Sequence, residues 1–195
     1  MRVAVLCCAL LAATSVLSLT TGPLSWAQLD EHLLVLRGVR LAAGILAGAA
    51  LAVAGVLMQG LFRNPLASPS VSGVSAGASL GVQLAMMAGL WAPGLLGVVS
   101  SELVRPLAGF LGALVALGCL LGLIRRRADL SSVLLVGMVL SLLFSAMGAY
   151  LLSIATDRWE LGRALVAFSL GGIDSASQRS VALTLPLVLI AIAAA

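Results

Sequence analysis

"LFRNPLASPSVSGVSAGASLG", residues 61–81, breaks an otherwise apolar chain with one charge, two prolines and a run of Gly, Ser and Ala. Its meaning depends on the solvent of the rest of the chain. Hydrophobic residues make up 62% of the 195 residues and charged residues 9%, with a mean hydropathy of +1.19. A soluble domain of this length needs far more charge to cover its surface, so the chain is solvated by lipid. The net charge of +4 comes from eleven arginines, with no lysine, against seven acids. In a membrane protein that balance reports topology and not nucleic-acid binding.

Measured against about 20 residues per crossing, the chain divides into six apolar runs: 3–22, 41–61, 71–91, 106–124, 130–155 and 181–195. The short breaks between them carry nearly all the charge. The first run has a signal-peptide-like start in Arg2, but no A-x-A site follows and the run continues to Leu19. The last run, "VALTLPLVLIAIAAA", is only about 22 Å of helix at 1.5 Å per residue, and it reads as a helix cut short.

Strict alternation of the runs puts Trp26, Trp91 and Trp159 at one interface, as an aromatic belt requires. With a cytoplasmic N-terminus, Arg2, Arg63 and Arg125–Arg127 lie inside and the other six arginines outside. The count is indecisive. The dense "RRRAD" at 125–129 favours that orientation.

Within this frame the opening stretch is the turn between the second and third runs. Pro65 lacks an N–H and biases Asn64 away from helix, which ends the second run. Ser68 then caps the third, with Pro69 at its first helical position. Gly73, Gly77 and Gly81 recur every fourth residue and form one small-residue face with Ser72, Ala76 and Ser79. In lipid such faces let helix backbones approach closely. Gly44, Gly48 and Ala52 repeat the pattern in the second run, and Gly118 and Gly122 in the fourth.

Other chemistries lack parts. "GVSAG" at 73–77 matches G-x-S-x-G, but a serine nucleophile needs a base within reach. The one histidine, His32, precedes the second run, at the opposite interface. Without lysine the chain cannot build a P-loop. None of the apolar runs carries an ionisable residue at its middle, as ion-coupled carriers do. Cys7, Cys8 and Cys119 form no CxxC pair and lie in apolar runs, so neither a metal site nor a disulfide framework follows. No cofactor is expected. Gln59 and Gln83 are the notable polar side chains in the runs, read as interhelical hydrogen bonds more readily than as solute contacts.

The segment "RGVRLAAGILAGAALAVAGVLMQGLFRNPLASPSVSGVSAGASLG" (37–81) resembles the signature region of FecCD-type permeases. The likeness continues in "LLVGMVLSLLFSAMGAYLLSIATD" (134–157) and in 185–195. These permeases are the membrane subunits of ABC importers for iron–siderophore complexes, haem and cobalamin. The resemblance implies an all-α polytopic transmembrane bundle, here about six spans of a roughly ten-span fold, with residues 1–195 as one permease domain lacking its C-terminal part. It also implies a bacterial inner-membrane location, a second permease subunit, two ATPase subunits at the cytoplasmic face and a solute-binding protein outside. The chain itself would not be an enzyme.

Site residues follow from the same resemblance. A basic R-x-P-R element just before the second span docks the binding protein in this family. Here it reads R-G-V-R, so Arg37 and Arg40 match and Val39 replaces the proline; headgroup anchoring is the other reading of the two arginines. Asn64 and Leu66 match positions that narrow the cytoplasmic end of the pathway. Ser131 and Ser132 fall in the second gate region, and an N-cap for the fifth span is compatible with that. Residues 156–180 resemble a short external helix with Asp157 and Glu160 at capping-box-like spacing and Gly171–Gly172 as its end; Trp159 and Arg163 would face the binding protein. A small membrane scaffold, or a non-functional fragment of a permease, is the alternative function.

Overall fold

The computed structural model describes residues 2–20, 31–65, 68–91, 101–124, 130–155, 159–173 and 176–194. Among these, seven α-helices and one 3-10 turn occur, and no strand. The helices are α1 (Arg2–Thr20), α2 (Glu31–Phe62), α3 (Val74–Trp91), α4 (Ser101–Leu123), α5 (Leu130–Ala155), α6 (Trp159–Ser169) and α7 (Gln178–Ala194), with the 3-10 turn at Pro69–Ser72. The all-α expectation holds, and each of the six apolar runs is a helix. Among the described residues, three stretches are long and apolar enough to cross a membrane: Leu33–Phe62, Leu103–Leu123 and Ser131–Ala155. Val5–Thr20, Val74–Gly89 and Gln178–Ala194 are apolar but shorter.

The chain forms two compact units, residues 54–172 and residues 1–53 with 173–195. In the first, α3 packs most extensively on α4 and next on α5, while α6 lies against α5 and α3. The α3–α4 contact is made of backbone. A Cβ added to Gly81 would lie 3.1 Å from Gly112 Cα and even closer to Ala108 O, and one added to Gly77 would lie 2.8 Å from Gly112 O. Ala116, fully buried, completes the seam. Lipid tails are as apolar as leucine, so helix association depends on van der Waals fit, and small residues bring the most atoms into range. The side chains left outside, such as Leu111, Val115, Leu142 and Leu143, are exposed, as lipid contact requires.

The structure corrects two features of the glycine pattern. Gly73 is not on the α3 face: it has φ +79° and separates the 3-10 turn from α3. Gly118 and Gly122 meet no described atom within 4 Å, and the α4 partner of Gly77 and Gly81 is Gly112.

Helix ends follow local chemistry. α6 closes with Gly171 at φ +78°, Gly171 N–H donating to Phe168 O (3.0 Å) and Gly172 N–H to Ala167 O (2.8 Å), a Schellman arrangement at the glycines expected to end it. α7 opens on a reciprocal cap: Ser177 N–H donates to Ser180 Oγ (2.9 Å) and Ser180 N–H to Ser177 Oγ (3.1 Å).

Gly81→Ala should lower the thermal midpoint of the detergent-solubilised protein, through an overpacking cost of about 1–3 kcal/mol. Gly118→Ala, with open space around it, should leave the midpoint unchanged. Tryptophan-fluorescence melts of the two variants check this.

Candidate functional site

Three places carry the polar chemistry. The first is the turn after α2. Arg63 takes a positive φ of 46°, and its N–H donates to Gly60 O (3.4 Å) while Asn64 N–H donates to Gln59 O (3.2 Å). The chain thus leaves α2 at Arg63, two residues ahead of Pro65. Ser68 is an N-cap, but of the 3-10 turn and not of α3: its Oγ accepts from Ser70 N–H (3.3 Å). Ser72 Oγ donates to Pro69 O (2.8 Å). The left-handed Gly73 redirects the chain into α3, where Gly77 N–H donates to Gly73 O (2.9 Å).

This turn is clamped to α5. Ser141 Oγ donates to Ser70 O (2.7 Å). One helical turn earlier, a Cβ on Gly137 would lie 2.6 Å from Val71 O, so only glycine lets the turn approach. Sequence reading missed both residues. Their signal was the small pair at i and i+4 inside "GMVLS" (137–141). Asn64 is half-buried at the mouth of the turn, while Leu66 lies outside the described residues. Ser131 and Ser132 are exposed in the first turn of α5, about 9 Å along the helix from Gly137 at 1.5 Å per residue.

The second place is the R-G-V-R segment. It lies inside α2, which starts at Glu31 and not near residue 41 as expected. Val39 supplies the N–H and lacks the ring that would have blocked helix there. Arg37 and Arg40 are i,i+3 neighbours with different roles. Arg37 is half-buried and its Nη1 donates to Leu19 O (2.8 Å) in the last turn of α1, where a cation opposes the negative end of the helix dipole. Arg40 is exposed and borders a groove of about 860 Å³ between α1 and α2. Gly44 and Gly48 line the same groove. A Cβ on Gly44 would touch Ile173 Cδ1, whereas one on Gly48 would meet no described atom within 4 Å.

The third place is α6, an amphipathic helix with Gly162 and Leu165 buried. Trp159 is 80% exposed and Arg163, one turn on, is also exposed, so the two share an outward face. Glu160 lies in the first turn; Asp157 is outside the described residues. Ser75 is exposed near the start of α3, after a 3-10 turn. A nucleophile elbow joins strand to helix, so "GVSAG" does not build one. Gln59 is exposed with no described hydrogen bond, and Gln83 is buried with Oε1 unpaired. Among the described residues, neither makes the interhelical bond expected of it.

The α3–α4–α5 bundle and its clamped turn define a helical membrane-permease architecture. A model of the FecCD transport family matches residues 2–195, and the chain belongs to that family. The vitamin B12 import system permease protein BtuC of Escherichia coli O17:K52:H18 is 33% identical over 174 residues, 86% of this chain and 49% of that protein. Its Klebsiella pneumoniae counterpart is 32% identical over 175 residues, 84% of this chain and 49% of that one. A solved structure described as an inward-facing conformation of a metal-chelate type ABC transporter superposes with a TM-score of 0.72 at 28% identity. It covers 93% of this chain and 55% of its own. The chain therefore spans about half the length of the curated relatives it matches.

Gly137→Ala should push the 63–73 turn off α5, at a cost of about 1–3 kcal/mol from overpacking against backbone. Protease nicking near Arg63 should become faster than in wild type. Ser141→Ala, which removes one hydrogen bond worth about 1 kcal/mol, should have a smaller effect in the same assay.

Proposed function

We propose that the chain acts as the membrane-spanning permease subunit of an ATP-driven importer of metal chelates, the class that includes iron–siderophore complexes, haem and cobalamin. The observation that carries this reading is the R-N-P-L-A turn. That block (63–67) leads into the 3-10 turn Pro69–Ser72, which is held to α5 by the backbone contact of Val71 at Gly137 and by the Ser141 hydroxyl on Ser70 O. A gate has to be held in register by the helix that moves it, and α5 holds this one from a single face.

In this reading the N-terminus and the 63–73 turn face the cytoplasm, with residues 1–195 as one permease domain. Two partner ATPases close on ATP and rock this subunit against a second permease, identical or related, giving alternating access. Asn64, Leu66, Ser131 and Ser132 line the cytoplasmic gate. A solute-binding protein docks outside through acidic residues that meet Arg40 and, separately, the Trp159–Arg163 face of α6. Arg37 contributes by anchoring α1, not by docking. Chemical selectivity rests with the binding protein, since no charged cluster converges among the described residues of the bundle.

Uptake of radiolabelled cobalamin and of a ferric siderophore, in the source strain carrying the native operon, tests the assignment. Arg40→Glu and Arg163→Glu, each alone, should cut uptake about tenfold, equivalent to ~1.4 kcal/mol of lost docking energy, and more steeply at low salt. Arg37→Gln should instead lower the thermal midpoint, through loss of a charged hydrogen bond worth about 1.5–3 kcal/mol. Unchanged uptake of every chelate in both charge-reversal variants would remove the docking assignment.

A further inference from the structure

The two sides of α3 are built differently. Toward α4 the seam is dry backbone on backbone. Toward α5 and α6 lies a recess of about 280 Å³, lined among others by Gln83, Ser79, Ser145, Gly148, Leu152 and Ser169. Gln83 is 7% exposed, and its Oε1 is buried with no hydrogen-bond partner among the described residues. Gly148 makes room for it: a Cβ there would lie 2.6 Å from Oε1. An amide oxygen stripped of water without a new donor costs about 1–3 kcal/mol, so a donor is required.

Size and charge decide which donor. A metal chelate is at least drug-sized and needs a pocket of about 300–1,000 Å³, so it does not fit. No charged residue lines the recess, so an ion would be stripped of water without compensation. Water fits on both counts. Each molecule occupies about 30 Å³ of liquid and needs two to four polar partners, which Gln83 and the three serine hydroxyls provide. Access is short as well, because Gly148 lies seven residues before Ala155, the end of α5, which is about 10 Å of helix.

We propose that this recess is an internal hydration site, in which a small water cluster donates to Gln83 Oε1 and exchanges hydrogen bonds with Ser79, Ser145 and Ser169. α3 is then bonded dry to α4 and wet to α5 and α6. Water-mediated contacts re-form after small shifts, whereas an interlocked backbone seam does not. The wet side is where the C-terminal part of α5, with α6, can shift relative to the α3–α4 pair, beyond the clamp at Gly137 and Ser141.

X-ray hydroxyl-radical footprinting of the full protein in its native membrane tests this, because radiolysis of ordered water oxidises the side chains beside it. Phe144 and Leu152, which line the recess, should be oxidised several-fold faster than Leu142, which points outward on the same helix. In Gln83→Leu, which removes the acceptor, both rates should fall to that of Leu142. Wild-type rates at Phe144 and Leu152 equal to that of Leu142 would overturn the proposal and point to a protein segment or lipid filling the recess. Undiminished oxidation in Gln83→Leu would also overturn it, by showing water that Gln83 does not hold. Should the variant fail to accumulate, the wild-type comparison decides by itself.

Discussion

The backbone seam between α3 and α4 is the constraint on which the larger unit depends. Gly77 and Gly81 on one helix, with Gly112 on the other, bring main chains so close that no Cβ fits between them. Each close atom pair contributes only about 0.1–0.2 kcal/mol, and a seam several turns long contains many. With no hydrophobic drive between helices in lipid, such a seam does for a membrane bundle what a leucine core does for a soluble one. It fixes α3, and α3 in turn sets where α5, the 3-10 turn and α6 can pack.

Much of this was legible in the sequence. The apolar runs gave the helices, because lipid-solvated helices need no amphipathic signal beyond length and hydropathy. The four-residue glycine spacing gave the α3 face. On α4, Gly118 and Gly122 have the spacing of a packing face but meet no described atom, and only tertiary structure selects Gly112 as the partner of Gly77 and Gly81. The start of α2 was set ten residues late, because Arg37 and Arg40 read as a boundary. Both lie in the helix, one satisfied by the end of α1 and the other exposed. Arginines near helix ends commonly extend toward the interface in this way.

The turn shows how a correct local reading can attach to the wrong element. Ser68 and Pro69 have the chemistry of a helix start, and a helix does start there, but it is a single 3-10 turn. What sequence could not supply was Gly73 in the left-handed region, which lets the chain change direction before α3. Nor could it show that Gly137 and Ser141, some seventy residues later, receive that turn. Long-range partners of this kind leave only a faint trace, two small residues one helical turn apart. Trp159 and Arg163 were singled out by the family resemblance, and it is their i,i+4 spacing on a short helix that places both on one exposed side.

Together these elements form a close-packed α3–α4 pair and a turn held by α5, in a chain that spans about half the length of the curated relatives it matches. The central claim is that this unit works inside an ABC importer. The most direct test is the native mass of the protein in mild detergent, together with whatever co-purifies with it from its own membrane. The account predicts an assembly containing a second permease and two ATPase subunits, which dissociates from its binding protein at high salt. A chain that purifies alone, with no ATPase at any detergent or nucleotide condition, would contradict it.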